Sequence, residues 1–188
     1  MTTERKPLLI GLAGQARTGK DTAGTYLATR YCLRRLAFAE PIKRGIAAML
    51  DEPYAVVAAW PKEAAIDGLD VTPRQLFQTL GTDWGRNLVH PDLWISLLRR
   101  QWREIRADPE YGGAVITDVR MPNEAAWIRR EGGLVIHVTR DDRPAVRQHV
   151  SEDPLPILEG DVSLPNNGTL DELHCRLRDI VDGFRAAQ

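Results

Sequence analysis

Residues 10–22 read IGLAGQARTGKDT. Gly14, Gly19 and Lys20 stand at the spacing G-x-x-x-x-G-K, which wraps backbone N–H groups around a polyphosphate and brings a lysine to its outer phosphates. Arg17, inside the loop, would add charge near the γ-phosphate. The usual Ser or Thr after the lysine, whose hydroxyl holds magnesium, is replaced by Asp21, with Thr22 one place later. Either supplies an oxygen donor. Asp21 would ligate the metal directly or through water, as magnesium allows. Alternatively Thr22 is the ligand, and Asp21 simply suits the first turn of a helix.

A second cluster reads AVITDVRMPNE at 114–124. It ends an apolar run in Asp118, where an acid beside a phosphate loop reaches the magnesium shell. Arg120 follows two residues on, at the carboxyl end of a strand, where α/β sheets bind ligands. A third reads TPRQLFQTLGTDWGR at 72–86. Arg74, Gln78 and Arg86 would clamp a phosphate and read a base, with Phe77 and Trp84 as an aromatic wall. The stretch FAEPIK (38–43) contributes Glu40 and Lys43 at the end of another apolar run.

The elements that must position these residues are legible as apolar runs. Leu8–Ala13, Leu33–Phe38, Ala114–Thr117 and Leu134–Thr139, with a weaker run at Val162–Leu164, suit parallel strands covered on both faces. Helices are expected at Lys20–Arg30, Pro41–Leu50, from Thr72 onward, Asp92–Arg106, Asn123–Glu131, and from Thr169 to about Arg185. Thr72 and Asn123 read as N-caps, and Thr169 opens a near capping box. Strand, loop and helix alternate, so the fold class is α/β with a parallel sheet. Residues 51–92 read as mixed helix and loop. Residues 141–161 are rich in charge and proline with little periodicity, a length of loop that is usually functional or disordered.

Composition narrows the partners. The chain of 188 residues is long enough for one well-buried domain, and its formal net charge of −1 gives no support to binding of nucleic acid or a membrane surface. Cys32 and Cys175 lie far apart without metal-ligand spacing, as in a reducing cytosol. No apolar run reaches membrane-spanning length. A cytoplasmic protein is expected, with homodimer formation left open.

Taken together, GQARTGKDT, FAEPIK, RQLFQTLGTDWGR with PDLWI, VITDVRMPNEA, LVIHVTR with the later HVSE (149–152), and NNGTLDEL (166–173) resemble the deoxynucleoside monophosphate kinases of bacteriophages and prophages. The matching pieces run in order along nearly the whole chain. Asp after the loop lysine is itself frequent in that family.

The resemblance implies a three-layer phosphate-loop kinase fold with a five-stranded parallel sheet. It implies a single domain whose core is 1–50, 93–140 and 162–188, with an acceptor-binding insertion at about 51–92 and a lid at about 141–161. The activity implied is transfer of the γ-phosphoryl group of ATP to a deoxynucleoside 5′-monophosphate (dNMP), giving the diphosphate (dNDP) and ADP, with Mg2+. Gly14, Ala16, Thr18, Gly19, Lys20, Asp21 and Thr22 would bind ATP, with Asp21, Thr22 and Asp118 the metal candidates. Glu40, Lys43, Arg74, Gln78, Trp84 and Arg86 would line the acceptor site. Lys20, Arg17, Asp118 and Arg120 would act in catalysis, Asp118 and Arg120 lying between the nucleotides. Arg143 would swing onto the phosphates from the lid. Arg140, Asn167 and Gly168 would lie near adenine.

His137 reads as a core histidine and His149 as a hinge or packing residue. Rival readings are another small-molecule kinase of this fold, such as dephospho-coenzyme A or phosphomevalonate kinase, and a nucleotide-binding protein without catalysis. A guanine-reading switch lacks its N/T-K-x-D segment here.

Overall fold

The computed structural model describes residues 6–141 and 155–188. They form two compact units, Met1–Ala37 with Arg100–Gln188, and Phe38–Arg99.

The first unit is built on a five-stranded sheet in which every pair is parallel. Its strands are β1 (Leu8–Ala13), β2 (Leu33–Leu36), β3 (Gly113–Val119), β4 (Leu134–Thr139) and β5 (Val162–Pro165), in the spatial order β2-β3-β1-β4-β5. β1, whose residues are all buried, is the centre. The bounds of β1 and β4 are those read from the apolar runs. β2 departs from its apolar reading: it is an edge strand with Leu33 and Leu36 buried but Arg34 and Arg35 exposed. An edge strand needs only one covered side, and charge there discourages further strand pairing.

Two helices cover one face. Ala23 and Leu27 of α1 (Lys20–Tyr31) and Leu173, Leu177 and Val181 of α7 (Leu170–Ala186) share a core with Leu8, Ile10 and Leu12. The helix α6 (Pro122–Arg130) packs on β1 and β4 from the opposite side. This gives the three layers expected, and the order places the carboxyl ends of β3, β1 and β4 side by side. Thr169 caps α7 as its spacing indicates: its hydroxyl accepts from the Glu172 N–H at 3.3 Å, and Glu172 Oε2 accepts from the Thr169 N–H at 3.0 Å.

The second unit is helical: α2 (Glu40–Met49), α3 (Tyr54–Ala59), α4 (Pro73–Gln78), a π-helix (Thr79–Val89) and the first part of α5 (Leu93–Ala107). Thr72 is the N-cap of α4, accepting from the Gln75 N–H at 3.2 Å while Gln75 Oε1 accepts from the Thr72 N–H at 2.8 Å. The helix expected to continue from Thr72 changes its winding after Gln78 into 11 residues of π-helix. Wide turns of this kind are rare and frequent at functional sites. Packing at the π-helix is tight: Gly85 is buried, and a Cβ there would collide with the Trp94 ring.

Candidate functional site

The loop between β1 and α1 has the backbone conformation of a candidate anion cradle. Gly14 has φ 137° and Gly19 has φ 100°, conformations that side chains rarely adopt. Space forbids a side chain too. A Cβ on Gly14 would run into the Val138 carbonyl, and one on Gly19 into the Asn166 side chain. Arg17, exposed at φ 64°, is held in the left-handed region, a strain that concentrates at ligand-binding loops.

Two loop carbonyls, those of Gln15 and Thr18, accept from side chains. The Thr18 hydroxyl donates to the Gln15 carbonyl at 3.0 Å, and Lys20 Nζ donates to the same oxygen at 2.6 Å, so the ammonium closes across the loop. The N-cap of α1 is Gly19, and no side chain caps it. A helix start without a side-chain cap is an arrangement that can receive an anion. Ala16, in the same loop, is half-buried.

Asp21 and Thr22 both lie exposed in the first turn of α1. The Asp21 carboxylate is 3.7 Å from Arg35 with its side chain 92% exposed, a surface contact of little strength. Asp118 and Arg120 stand at the carboxyl end of β3. The register pairs Ala13 of β1 with Val119, so these residues leave the sheet beside the point where the phosphate loop begins.

The turn into α6 is organised by Glu124, a buried acidic residue. Its Oε2 accepts from the Arg120 N–H at 2.9 Å and the Met121 N–H at 3.0 Å. Sequence reading put the N-cap at Asn123. The cap position is Met121, with Pro122 in the first turn, and Asn123 Oδ1 accepts from the Glu124 N–H at 3.1 Å. Glu124 was missed because a reach-back carboxylate looks like any helical glutamate until its burial is known.

At the far side of the loop, β5 turns into α7 through Asn166, Asn167 and Gly168. Buried Asn166 donates from Nδ2 to the Thr18 carbonyl at 2.9 Å. Asn167 and Asp141 exchange two bonds: the Asp141 N–H to Asn167 Oδ1 at 2.9 Å, and Asn167 Nδ2 to Asp141 Oδ2 at 2.6 Å. Arg140, exposed, immediately precedes Asp141. The Asn167–Gly168 turn thus lies at the exit of β4. Arg143 and His149 lie outside the described residues.

His137 is buried in β4 and has a partner that the sequence did not reveal. Its Nε2 is 2.8 Å from Asp161 Oδ2, and Arg129 grips both oxygens of the same carboxylate at 2.7 Å. Burial alone would raise the Asp161 pKa. The Arg129 guanidinium, the Leu158 N–H and His137 outweigh it and hold the carboxyl down at about 2.

In the second unit, the side chains of three acceptor candidates, Glu40, Arg74 and Arg86, have partners within the same unit. Glu40 Oε1 accepts from Arg44 Nε at 2.9 Å and Nη2 at 2.6 Å, one turn along α2. Lys43 is half-buried on the same helix. Arg74 donates from Nε to Glu63 Oε1 at 2.6 Å. Gln78 is the last residue of α4, and Trp84, in the π-helix, is 46% exposed. Arg86 Nη1 donates to the Gly81 carbonyl at 3.1 Å, and Trp94 Nε1 donates to that same oxygen at 2.7 Å. Trp94, which its position on α5 assigns to the core, also fastens the π-helix.

A family model described as deoxynucleotide monophosphate kinase matches residues 62–177. A protein of Acanthamoeba polyphaga mimivirus, provisionally named a deoxynucleotide monophosphate kinase, is 30% identical over 186 residues, covering 93% of this chain and 96% of its own length. The chain belongs to the deoxynucleotide monophosphate kinase family. Family membership makes it a kinase.

The deoxynucleotide monophosphate kinase of Escherichia phage RB69 is 34% identical over 142 residues, which are 72% of this chain and 57% of the phage enzyme. The chain therefore spans little more than half the length of that relative. A crystal structure from Chloroflexus aurantiacus, provisionally described as a kinase, superposes with a TM-score of 0.51 at 14% identity, covering 96% of this chain and 98% of that one. That likeness concerns the fold alone. Among the described residues no helix is long and apolar enough to cross a membrane.

Proposed function

We propose that this chain transfers the γ-phosphoryl group of ATP to the 5′-phosphate of a deoxynucleoside monophosphate, giving the diphosphate and ADP. The observation that carries the reading is the cradle itself: positive-φ glycines, an uncapped helix start and Lys20 around one loop, in a chain of this family. The first unit binds the triphosphate. The second binds the acceptor through Lys43, Arg74, Gln78, Trp84 and Arg86.

A phosphate oxygen of the acceptor attacks the γ-phosphorus, and the bond to the bridging oxygen of ADP breaks. No covalent enzyme intermediate is needed. Lys20 and Arg17 neutralise charge on the transferred group, and Arg120 does so from the end of β3. Asn167, Gly168 and Arg140 lie toward the adenine, and the reaction takes place in the cytoplasm.

Magnesium fits the donors present. Asp118 and either Asp21 or Thr22 offer oxygen, which this cation prefers. Among the described residues no group of three or more His, Cys, Asp or Glu could hold a metal by itself. That agrees with a cation bound chiefly through phosphates and waters. It would supply charge neutralisation on the phosphates.

A coupled assay of ADP release over the four dNMPs, the ribonucleoside monophosphates and a water-only control tests the reading. Release that depends on a dNMP supports it. Release with none of the monophosphates would replace it with another small-molecule kinase reading.

A further inference from the structure

We propose that Asn166 is a positioning residue for the triphosphate, acting through the backbone of the phosphate loop; the inference rests on the ATP-binding reading of that loop. Asn166 lies at the end of β5, far in sequence from the loop it touches. It is 8% exposed. Its own N–H donates to the Thr139 carbonyl at the exit of β4 at 2.7 Å, which fixes its backbone to the sheet. Its side-chain amide then donates to the Thr18 carbonyl at 2.9 Å, and Gly19 is pressed so close that a Cβ would collide with the amide.

The consequence follows from the peptide plane. The Thr18 carbonyl and the Gly19 N–H belong to one peptide unit and point in opposite directions. Holding that oxygen toward Asn166 turns the N–H the other way, next to the first amides of α1. An anion needs those N–H groups converging before it arrives, because rotating a peptide unit during binding would weaken the grip. Asn166 therefore sets the orientation of the peptide that enters Lys20, without itself touching substrate.

The amide's hydrogen is the functional element, so Asn166→Asp is the informative change. It keeps the shape, removes the donor and sets a carboxylate against a carbonyl oxygen. At pH 8 we expect the KM for ATP to rise about tenfold or more, with the KM for the dNMP within twofold of wild type. Burial beside an oxygen raises the pKa of the new carboxyl. Once protonated it donates again, so at pH 5.5 the ratio of variant to wild-type KM for ATP should fall back towards one. A residue that only packs would not give a pH-dependent rescue.

If Asn166→Asp does not fold, Asn166→Ala should show the same selective rise in ATP KM without pH recovery. ADP binding by calorimetry reads the same difference without turnover. An ATP KM within twofold of wild type in the folded variant, or equal rises for ATP and dNMP, overturns the proposal. Should the wild type bind ADP but transfer to no dNMP, the proposed activity fails while the binding arm still decides the role of Asn166.

Discussion

On the proposed function, the loop between β1 and α1 and the helices of the second unit would each grip phosphate, with different materials. The loop would use backbone. Two glycines at positive φ, carbonyls tied away by Thr18, Lys20 and Asn166, and a helix start with no side-chain cap would make N–H groups the ligands. The proposed acceptor side would use long side chains, two of them stationed by an oxygen nearby: Arg74 by Glu63, Arg86 by Gly81. Backbone ligands have little conformational entropy left to lose on binding, whereas guanidinium groups must be held to reach that state. The π-helix belongs to this second strategy, because its wide winding brings the Gly81 carbonyl to both Arg86 and Trp94.

The contrast predicts that damage will separate by substrate. The largest effect should come from Lys20→Met. Steady-state transfer should fall by about a thousandfold or more, with the thermal midpoint nearly unchanged. Turnover close to wild type in that variant would break the assignment of the loop.

Next comes Asp161→Asn, which tests the scaffold under the loop side rather than the loop. Stripping the carboxylate from Arg129 and His137 should lower stability by about 3 kcal/mol, measured by urea unfolding at pH 7. The sign with pH is fixed. Asp161 stays ionised in the fold down to about 2, below the usual 3.8, so its contribution is complete above about pH 4 and lost as pH falls from there towards 2. The acid-unfolding curve of Asp161→Asn should lack that segment. A curve parallel to wild type between those values would show that the cluster contributes nothing.

On the acceptor side, Gly85→Ala forces a methyl group against the Trp94 ring. We expect about 2 kcal/mol of lost stability and a raised KM for the dNMP, with the KM for ATP unmoved. A rise in the ATP value instead would erase the distinction between the regions. The smallest change is Arg74→Ala. The KM for the dNMP should increase about tenfold, read from initial rates at saturating ATP. Insensitivity would leave Arg74 as a partner of Glu63 and nothing more.

The sequence was most legible where structure is local. β1, α1 and the loop joining them are contiguous, and the glycine spacing, the lysine and the apolar run report one backbone path. Thr72 and Thr169 were readable as caps for the same reason, since their partners lie three residues away. Legibility failed where the partner is distant or the winding unusual. Asn166 reaches the loop from 148 residues along the chain, and His137 and Arg129 meet Asp161 only because β4, α6 and the segment before β5 come together. The π-helix escaped because apolar spacing reports which face is buried, and an amphipathic stretch passes for α-helix until its hydrogen bonds are traced. β2 was read as fully buried, because a run of residues does not say whether its strand lies at the edge.

From the sequence alone follow the α/β class and the resemblance to a kinase family, with a phosphate-binding loop as an expectation. These follow from short-range constraints: glycine's freedom at positive φ, the two-residue and 3.6-residue periods of apolar side chains, and the chemistry of residues adjacent in the chain. Only the tertiary structure decided which groups hold the loop's peptides in place, which carboxylate orders the turn carrying Arg120, and how the acceptor-side guanidiniums are stationed. Asn166 and Thr18 are far apart in the sequence, where residue type carries no record of the neighbour; Glu124 with Arg120 and Arg86 with Gly81 are close, but depend on turn geometry and winding that residue type does not report.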